Sequence, residues 1–589
     1  MNKEEKRKKF DKALLGRIVG LAKPYKAHFI GTLVLTAFLA PVSMMRPYIV
    51  SIMIDDYILK EDMPGLYRMA FLFMGVVVLA VLVRYALIYF SSLLGQNVIR
   101  DLRQKVFNHI TSLRLRYFDQ TPIGRVTTRT ISDVETINTV FTQGIVTMLA
   151  DLLGIFAVTG IMIYTSWQLT LLVMSTIPLL IIATYVFKEK VKVAFETVRN
   201  QVSNMNAFLQ ERITGMHIIQ IFNAEKQEMH KFEKINKEYT RANLDAINYY
   251  AIFFPVVEII NYLALAILVY LGARYVIQDI VSLGALLAFP WYINLLFRPI
   301  RMLADNFNTL QMGMVAADRV FVELDREEHI SDYGDKDPSQ IEGKVEFKDV
   351  HFSYDGENDV LKGVNFVLDA HKTLAIVGST GSGKTTIINV LARFYELRNG
   401  KVMIDDQDIK TMNLDFLRKR MAVVLQDVFL FHGTVFENIT LRDPSISLEA
   451  VLGASKIIGA DRYIQEMSDG YEHIITERGG NLSMGQRQLI SFVRALVINP
   501  DILILDEATS SIDTETEEVI QHAIEKLIAK RSSIIIAHRL STIRNADYIM
   551  VMDKGEVLEF GNHDTLLLNE GGRYKELYDM QFAEEVAVI

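Results

Sequence analysis

The stretch from Leu152 to Phe187 contains no Asp, Glu, Lys or Arg over 36 residues. A helix needs about 20 apolar residues to cross the hydrocarbon core of a bilayer. Backbone polar groups inside lipid must be satisfied within the segment, which favours helices for runs this apolar. The stretch is too long for one crossing, so it predicts two membrane-spanning helices joined by a turn at Thr165–Gln168.

Further apolar runs bring the predicted number of spans to six. Each contains at most one residue of the Asp, Glu, Lys and Arg types. The chain as a whole is 50% hydrophobic with a mean hydropathy of +0.20, which is unusually apolar for a soluble enzyme of 589 residues. The four additional runs are Ala27–Met45, Met69–Asn97, Ile247–Ala273 and Ile280–Phe297.

The segments between the spans differ in length and charge. Val98–Glu135 and Lys188–Ala246 are long, helical in periodicity and rich in Lys and Arg, whereas Asp55–Arg68, Thr165–Gln168 and Arg274–Asp279 are short. Cytoplasmic loops carry the excess of positive residues. We therefore expect both termini to be cytoplasmic, and the two long segments to continue the helices beyond the bilayer.

Composition excludes several classes of function. The formal net charge is -8, so the chain has no global basic field for nucleic acid. It contains no cysteine, which excludes disulfides, thiolate metal sites and a cysteine nucleophile.

The chain divides into four predicted segments. Residues 1–24 form an amphipathic N-terminal elbow helix, with Phe10, Leu14, Ile18 and Leu21 at helical spacing. Residues 25–325 form the six-span domain. Residues 326–343 are polar and rich in breakers, as in a linker. Residues 344–589 alternate strand-like and helical runs, as in an α/β domain.

A phosphate-binding motif opens the C-terminal domain. Residues 378–385 read GSTGSGKT, between the apolar run TLAIV and a helical run. In this P-loop pattern the backbone N–H groups surround phosphate, Lys384 reaches the outer phosphates and Thr385 ligates Mg²⁺. We expect ATP contacts from Gly378, Ser379, Thr380, Gly381, Ser382, Gly383, Lys384, Thr385 and Thr386.

Two later strands end in residues suited to hydrolysis. Ile502–Leu505 is a buried-type strand that ends at Asp506 and Glu507. The first carboxylate can hold Mg²⁺ through water and the second can polarise an attacking water. The next apolar strand ends at His538, and ligands bind at the carboxyl edge of such sheets.

These motifs, in this order, resemble those of exporters of the ATP-binding cassette (ABC) family. Tyr354 matches the adenine-stacking aromatic, Gln426 the Q-loop glutamine and NLSMGQRQL the signature. The remaining matches are Glu477 in the exporter-specific loop, Asp513 in the D-loop and His538 as switch histidine. Two regions resemble cytoplasmic coupling regions, with Phe118, Asp119, Gly124, Arg129 and Asp133 in the first and Glu211, Gly215, Phe222 and Glu225 in the second.

The resemblance implies a half-transporter. Its fold class is a membrane all-α six-helix transmembrane domain followed by a cytoplasmic α/β P-loop nucleotide-binding domain. Its catalytic residues are Glu507, His538, Gln426 and Lys384, and Mg²⁺ is held by Thr385, Gln426 and Asp506. The signature residues Ser483, Met484, Gly485 and Gln486 close over ATP bound by a second half-transporter.

The signature departs from the family's usual LSGGQ, because Met484 replaces the first glycine. A methionine here either points away or weakens closure over phosphate, where glycine permits close backbone approach. Variant signatures occur on one subunit of heterodimeric exporters and also in homodimers. Both kinds of partner stay open.

Three charged residues are candidates for positions inside the bilayer: Arg84 and Glu258 lie within predicted spans, and Asp151 directly precedes Leu152. Intramembrane charges are costly and are candidates for a substrate pathway, although pairing with one another or facing a water-filled cavity is the simpler interpretation. The last two spans also carry an aromatic cluster. It would suit a large amphipathic cargo, but packing between helices and against lipid is the favoured interpretation. Its members are Tyr249, Tyr250, Phe253, Phe254, Phe289, Trp291 and Tyr292.

We expect an ATPase coupled to transport, with ATP and Mg²⁺ as cofactors, that exports an amphipathic drug or lipid. Its predicted location is the cell membrane, plasma or inner, as a multi-pass protein in contact with membrane lipids. An ATP-gated channel, or a non-pumping regulatory subunit of a heterodimeric ABC complex, carries the same motifs and stays open as the alternative.

Overall fold

The computed structural model describes residues 12–328, 334, 341–506, 514–536 and 543–587. The chain divides into two compact units. The N-terminal unit contains Met1–Thr111 and Ile123–Arg326, and the C-terminal unit contains Ser112–Pro122 and Glu327–Ile589. The short segment 112–122 therefore belongs with the C-terminal unit, although it lies between two membrane-type helices in sequence.

Helices build the N-terminal unit. Three π-helical turns, at Met53–Ile58, Arg129–Asp133 and Val140–Ile145, interrupt the α-helices. The helices are α1 Lys12–Gly20, α2 Lys26–Ile52, α3 Met63–Thr111, α5 Ile123–Thr128, α6 Val134–Thr139, α7 Val146–Thr165, α8 Trp167–Met174, α9 Ile177–Thr214, α10 Met216–Ile221, α11 Glu225–Ile277 and α12 Leu283–Leu324, while α4 Leu115–Gln120 lies in the other unit.

Six helical stretches among the described residues are long and apolar enough to cross a membrane, which confirms the predicted number. The turn inside the longest uncharged run is also where the sequence predicts it. There, Ser166 separates α7 from α8 and its hydroxyl accepts a hydrogen bond from the Leu169 N–H at 3.3 Å. The six stretches are Lys23–Ile58, Met63–Thr111, Ile123–Thr165, Trp167–Thr214, Glu225–Ile277 and Leu283–Ile300.

Four of the described helices, α3, α9, α11 and α12, are much longer than a bilayer is thick. Helix α9 has 38 residues and α11 has 53. At 1.5 Å per residue they extend ~57 Å and ~80 Å, against a hydrocarbon core of about 30 Å. Both α9 and α11 run into the polar segment Lys188–Ala246, whereas α3 ends at Thr111 within the polar segment Val98–Glu135.

A side-chain-to-backbone hydrogen bond joins α12 to the turn after α2. The Asp55 carboxylate accepts a hydrogen bond from the Gly284 N–H at 2.7 Å. A β-carbon at Gly284 would overlap the carbonyl oxygen of Ser51, so glycine permits this close approach. The bond places the turn after α2 beside the start of α12.

Helix α1 docks on the end of α12. Ile18 is fully buried, and the Arg17 guanidinium pairs with the Asp325 carboxylate at 2.7 Å. This pairing raises the pKa of Arg17 and lowers the pKa of Asp325. Residues 1–11, which include Phe10 of the predicted elbow helix, lie outside the described residues.

The C-terminal unit is an α/β domain, as predicted. Its sheets have strand orders β2-β1-β4-β5, β12-β11-β3-β10-β9-β6 and β7-β8. The strands are β1 Val345–Phe352, β2 Leu361–Leu368, β3 Thr373–Gly378, β4 Asn399–Ile404, β5 Gln407–Asp408, β6 Met421–Val424, β7 Gly433–Thr434, β8 Ile474–Ile475, β9 Ile502–Asp506, β10 Ser532–Ile536, β11 Tyr548–Asp553 and β12 Glu556–Gly561.

Helices connect and flank these strands. They are α13 Lys384–Leu391, α14 Leu414–Lys419, α15 Val435–Thr440, α16 Leu448–Ile458, α17 Asp461–Gln465, α18 Met484–Val497, α19 Thr514–Ile528, α20 His563–Leu567 and α21 Arg573–Ala587.

The middle of the six-stranded sheet is parallel. Strand β10 pairs in parallel with both β3 and β9, and β9 pairs in parallel with β6. All five residues of β9 are buried, the pattern of a strand covered on both faces. Because parallel strands end at the same edge, the carboxyl ends of β3, β6, β9 and β10 meet there.

Candidate active site

The loop after β3 has the backbone of an anion cradle. Gly381 and Gly383 have φ values of +82° and +103°, a region that side chains rarely adopt. Gly383 also caps the start of α13. The turn therefore depends on glycine and leads into the N-terminus of α13, and helix N-termini bind anions.

The side chains of this loop complete the cradle. The Lys384 ammonium donates hydrogen bonds to the carbonyl oxygens of Gly378 at 2.8 Å and Ser379 at 3.0 Å, so it lies across the loop. Ser382 is 1% exposed, and its buried hydroxyl has no hydrogen-bond partner among the described residues. Thr385 is exposed. A buried cation and a buried free hydroxyl fit a phosphate chain.

The carboxyl edge of the sheet brings two further predicted residues to the same side as the P-loop. Asp506 is the last residue of β9, is 8% exposed and pairs in register with Ile536 of β10. Gln426 follows the end of β6 and is exposed. Glu507, Asp513 and His538 lie outside the described residues, although Asp506 and Ile536 are the last described residues before them.

The predicted adenine aromatic is held by the helix that follows the P-loop. The Tyr354 hydroxyl donates to the Thr386 hydroxyl at 3.2 Å and accepts a hydrogen bond from the Asn389 amide at 3.1 Å. Its ring is half-buried and meets the ring of Tyr395 edge-on at 5.0 Å. The aromatic is thus fixed to α13, which also carries Lys384.

The loop after Tyr354 is organised around one carboxylate. The Asp355 carboxylate accepts hydrogen bonds from the Ser353 hydroxyl at 2.7 Å and from the N–H groups of Asn358 at 2.9 Å and Glu357 at 2.8 Å. These donors lower the pKa of Asp355 below its ordinary value, the serine hydroxyl first. The Asp355 carboxylate therefore stays ionised and holds the turn beside Tyr354 in place.

We expect Tyr354→Ala to weaken ATP binding by tenfold or more, because stacking of a base on an aromatic ring contributes ~1–3 kcal/mol. Tyr354→Phe keeps the ring and loses the two hydroxyl contacts, so it is the matched control. Binding of a fluorescent ATP analogue to the full chain in nanodiscs measures both. Equal loss in both variants would contradict a stacking role.

A contact that the sequence does not reveal joins Tyr395, the ring beside Tyr354, to segment 112–122. The Tyr395 hydroxyl donates a hydrogen bond to the Asp119 carboxylate. The backbone N–H of Arg114 also donates to the carbonyl oxygen of Glu328 at 3.1 Å. The predicted first coupling region therefore contacts the domain that carries the P-loop. In the sequence, the only sign of this contact is the aromatic pair Phe394–Tyr395 after α13.

The signature begins helix α18. The Ser483 hydroxyl accepts from the Gln486 N–H at 3.2 Å, and the Gln486 side chain accepts from the Ser483 N–H at 2.9 Å, a complete capping box. Gly485 is buried and Met484 is 39% exposed. The methionine thus projects from the helix start without disturbing its cap. Glu477, in the preceding loop, is exposed.

The intramembrane charges occupy three different helices. Arg84 on α3 and Glu258 on α11 are exposed on the surface of the chain, and Asp151 on α7 is partly exposed. The aromatic cluster divides by burial. Phe253, Phe289 and Tyr292 are buried and pack in the helical core, whereas Tyr249, Phe254 and Trp291 are exposed and Tyr250 is half-buried.

A buried ion-pair group lies near the end of α12. Glu323 is fully buried, pairs with Arg129 from the π-helical turn after α5, and lies 3.5 Å from the Arg326 guanidinium. Arg319 and Asp133 form a second pair at 3.7 Å between the same elements. The sequence singled out Arg129 and Asp133 but not their partners, because long-range pairing leaves no local pattern.

The family model of the ABC transporter transmembrane region matches residues 29–300, and the ABC transporter family model matches residues 361–510. The chain is 38% identical over 585 residues to the uncharacterized ABC transporter ATP-binding protein YknV of Bacillus subtilis, covering 98% of this chain and 96% of the relative. The chain belongs to the ABC transporter family.

Further relatives of this ABC transporter have more informative names. It is 36% identical to the probable multidrug resistance ABC transporter ATP-binding/permease protein YheH of Bacillus subtilis, over 90% of this chain and 79% of the relative. It is 32% identical to the ATP-dependent lipid A-core flippase of Syntrophus aciditrophicus, over 97% of this chain and 94% of the relative. The family assignment makes the chain a multi-pass, nucleotide-binding membrane protein that couples ATP hydrolysis to transport.

Proposed function

We propose that this ABC transporter is an exporter that moves an amphipathic drug or lipid out of the cytoplasm or the inner leaflet by alternating access. One observation carries the proposal: six membrane-crossing helices share a chain with a sheet whose carboxyl edge gathers the P-loop, Asp506 and Gln426. Two relatives, one named a probable multidrug resistance ABC transporter and the other a lipid A-core flippase, support an amphipathic cargo.

The proposed ATP site uses the residues at this edge. The P-loop N–H groups and Lys384 would hold the phosphates, Tyr354 the adenine, and Thr385, Gln426 and Asp506 a magnesium ion. When bound, Mg²⁺ neutralises charge on the phosphate oxygens. Glu507 would orient and deprotonate the attacking water, assisted by His538.

The proposed working unit contains a second half-transporter. Each chain supplies one signature, at the capped N-terminus of α18, and one P-loop. In the family arrangement the Ser483 hydroxyl and the buried Gly485 would face phosphates bound by the other chain, assisted by the helix N-terminus. The D-loop residue Asp513 would lie at the same interface.

Two coupling regions would pass the motion of the nucleotide-binding domains to the membrane helices. The first lies near Phe118–Gly124, where the Asp119 carboxylate accepts a hydrogen bond from Tyr395. The second is Ile213–Glu225, which contains α10 between the ends of α9 and α11, and its Ile221 and Phe222 are 69% and 73% exposed. An exposed apolar tip on two long helices fits a docking element. The Lys and Arg asymmetry supports cytoplasmic termini.

ATPase activity of the purified chain in lipid nanodiscs, titrated with candidate drugs and lipids, tests the function. A compound that raises the Glu507-dependent rate identifies the cargo class. Uphill movement of that compound in vesicles with ATP, but not with a non-hydrolysable analogue, separates an exporter from an ATP-gated channel. Passive ATP-gated movement would overturn the proposal.

We expect Met484→Gly to change the maximal ATPase rate by less than about threefold, because substitutions at exposed positions usually shift free energies by only ~0.5 kcal/mol. The exposed side chain leaves the capping box intact. Ser483→Ala removes the cap and its hydroxyl and is the comparison expected to lose activity. A rate that rises tenfold in Met484→Gly would show that methionine obstructs closure.

A further inference from the structure

Two opposite charges in the membrane helices have no polar partner among the residues that the structure describes. Arg84 and Glu258 make no hydrogen bond or ion pair with the residues that the structure describes, and both are exposed. Asp151 differs, because it does have an electrostatic or polar interaction inside the chain. A lone charge facing hydrocarbon is costly. A partner outside the described part of this chain would remove that cost for Arg84 and Glu258.

The surfaces around these two charges are apolar. Val81 and Ile88, one turn either side of Arg84, are 61% and 59% exposed. Phe254 and Tyr262, one turn either side of Glu258, are 53% and 66% exposed. Each charge is thus centred on an outward apolar strip of its helix, as expected for a polar contact inside a helix–helix interface.

Arg84 and Glu258 lie at similar distances from the short-loop ends of their helices. Arg84 is about 21 residues from Met63, the start of α3, or ~31 Å along the axis, and Glu258 is about 19 residues from Ile277, the end of α11, or ~28 Å. Both helix ends belong to the side of the short loops. The Asp55–Gly284 hydrogen bond joins the loops that begin at those ends.

We propose that Arg84 forms an intramembrane ion pair with Glu258 of the partner subunit, the partner being a second copy of this chain. A two-fold axis makes the contact reciprocal, so each dimer would contain two such pairs and no unpaired charge at these positions. Charge complementarity favours a second copy of this chain as the partner. The chain itself supplies a positive and a negative side chain at similar distances from the short-loop ends of their helices. The inference rests on the proposed two-chain transporter and identifies one contact between its two subunits within the membrane.

Cross-linking tests the pair directly, because the chain contains no cysteine. A disulfide requires β-carbons about 3.8 Å apart, closer than an Arg–Glu pair holds them, so a short bis-maleimide, which alkylates one thiol at each end, is used. The double variant Arg84→Cys, Glu258→Cys in nanodiscs is expected to give a cross-linked dimer on denaturing gels, whereas each single variant gives monomer.

The matched control is Tyr85→Cys with Ile259→Cys. These positions are 69% and 66% exposed, lie at similar distances from the short-loop ends of their helices and point about 100° away around each helix. We expect little cross-linked dimer. Equal cross-linking in both pairs, or none in the first pair, overturns the proposal.

Charge reversal gives a second readout. Arg84→Glu and Glu258→Arg each place like charges together and should weaken the dimer about tenfold or more, whereas the double reversal should restore it. Native mass spectrometry of the full chain measures the dimer fraction. Additive loss in the double variant refutes the pair, as does a wild-type chain that stays monomeric. Glu507-dependent ATPase activity, assayed in parallel, reports separately on the proposed function.

Discussion

Glu507→Gln is expected to bind ATP normally and to hydrolyse it at least about 100-fold more slowly, because a positioned general base contributes ~10²–10⁴-fold. The amide keeps the size of the carboxylate but cannot accept a proton from water. The P-loop contacts of Lys384 and the Asp506 carboxylate are unchanged, so nucleotide affinity should persist.

The measurement is phosphate release by the chain in nanodiscs, with fluorescent-ATP binding on the same samples. Glu518→Gln is the control, since Glu518 is an exposed glutamate on α19 in the same domain. It should hydrolyse ATP at the wild-type rate. Unchanged turnover in Glu507→Gln would exclude Glu507 as the base.

Glu323→Ala is expected to destabilise the N-terminal unit by about 3–5 kcal/mol, because removing one member of a buried ion pair leaves the other charge uncompensated. Glu323 is fully buried, and it pairs with Arg129 and lies near Arg326. The neighbouring Arg319–Asp133 pair cannot replace it, since Arg319 is largely exposed and already occupied.

Thermal unfolding followed by fluorescence-detected size exclusion measures this loss. Glu327→Ala provides the control, because Glu327 is exposed and follows closely in sequence. We expect its unfolding temperature to stay within a degree or so of wild type, as for most surface substitutions, which shift stability by less than ~0.5 kcal/mol. Equal midpoints for the two variants would refute the buried-pair argument.

Local patterns predicted much of this fold. The uncharged run from Leu152 to Phe187 predicted two helices and a turn, and the structure begins α8 at Trp167 after a Ser166 cap. The run Ile502–Leu505 predicted a buried strand ending at Asp506, as observed. Both predictions succeed because hydrophobic periodicity and caps act over a few residues.

Contacts between distant residues could not be predicted in this way. Neither the Glu323–Arg129 pair nor the Asp119–Tyr395 hydrogen bond leaves a spacing signal, because each joins elements far apart in sequence. The π-helical turn Arg129–Asp133 was also unforeseen, since its sequence is compatible with an ordinary helix. Glu507, Asp513 and His538 remain predictions from the sequence.

Segment 112–122 also has a consequence for how the protein is made. Tyr395 follows its partner Asp119 by 276 residues, which a ribosome translating ~5–20 residues per second needs roughly 14–55 s to add. During that interval Leu113 and Tyr117, buried in the finished structure, have no completed domain to cover them. The nascent N-terminal half therefore emerges with Leu113 and Tyr117 of segment 112–122 exposed. A chain truncated before the P-loop domain would keep these apolar side chains exposed, where chaperones and proteases can bind them.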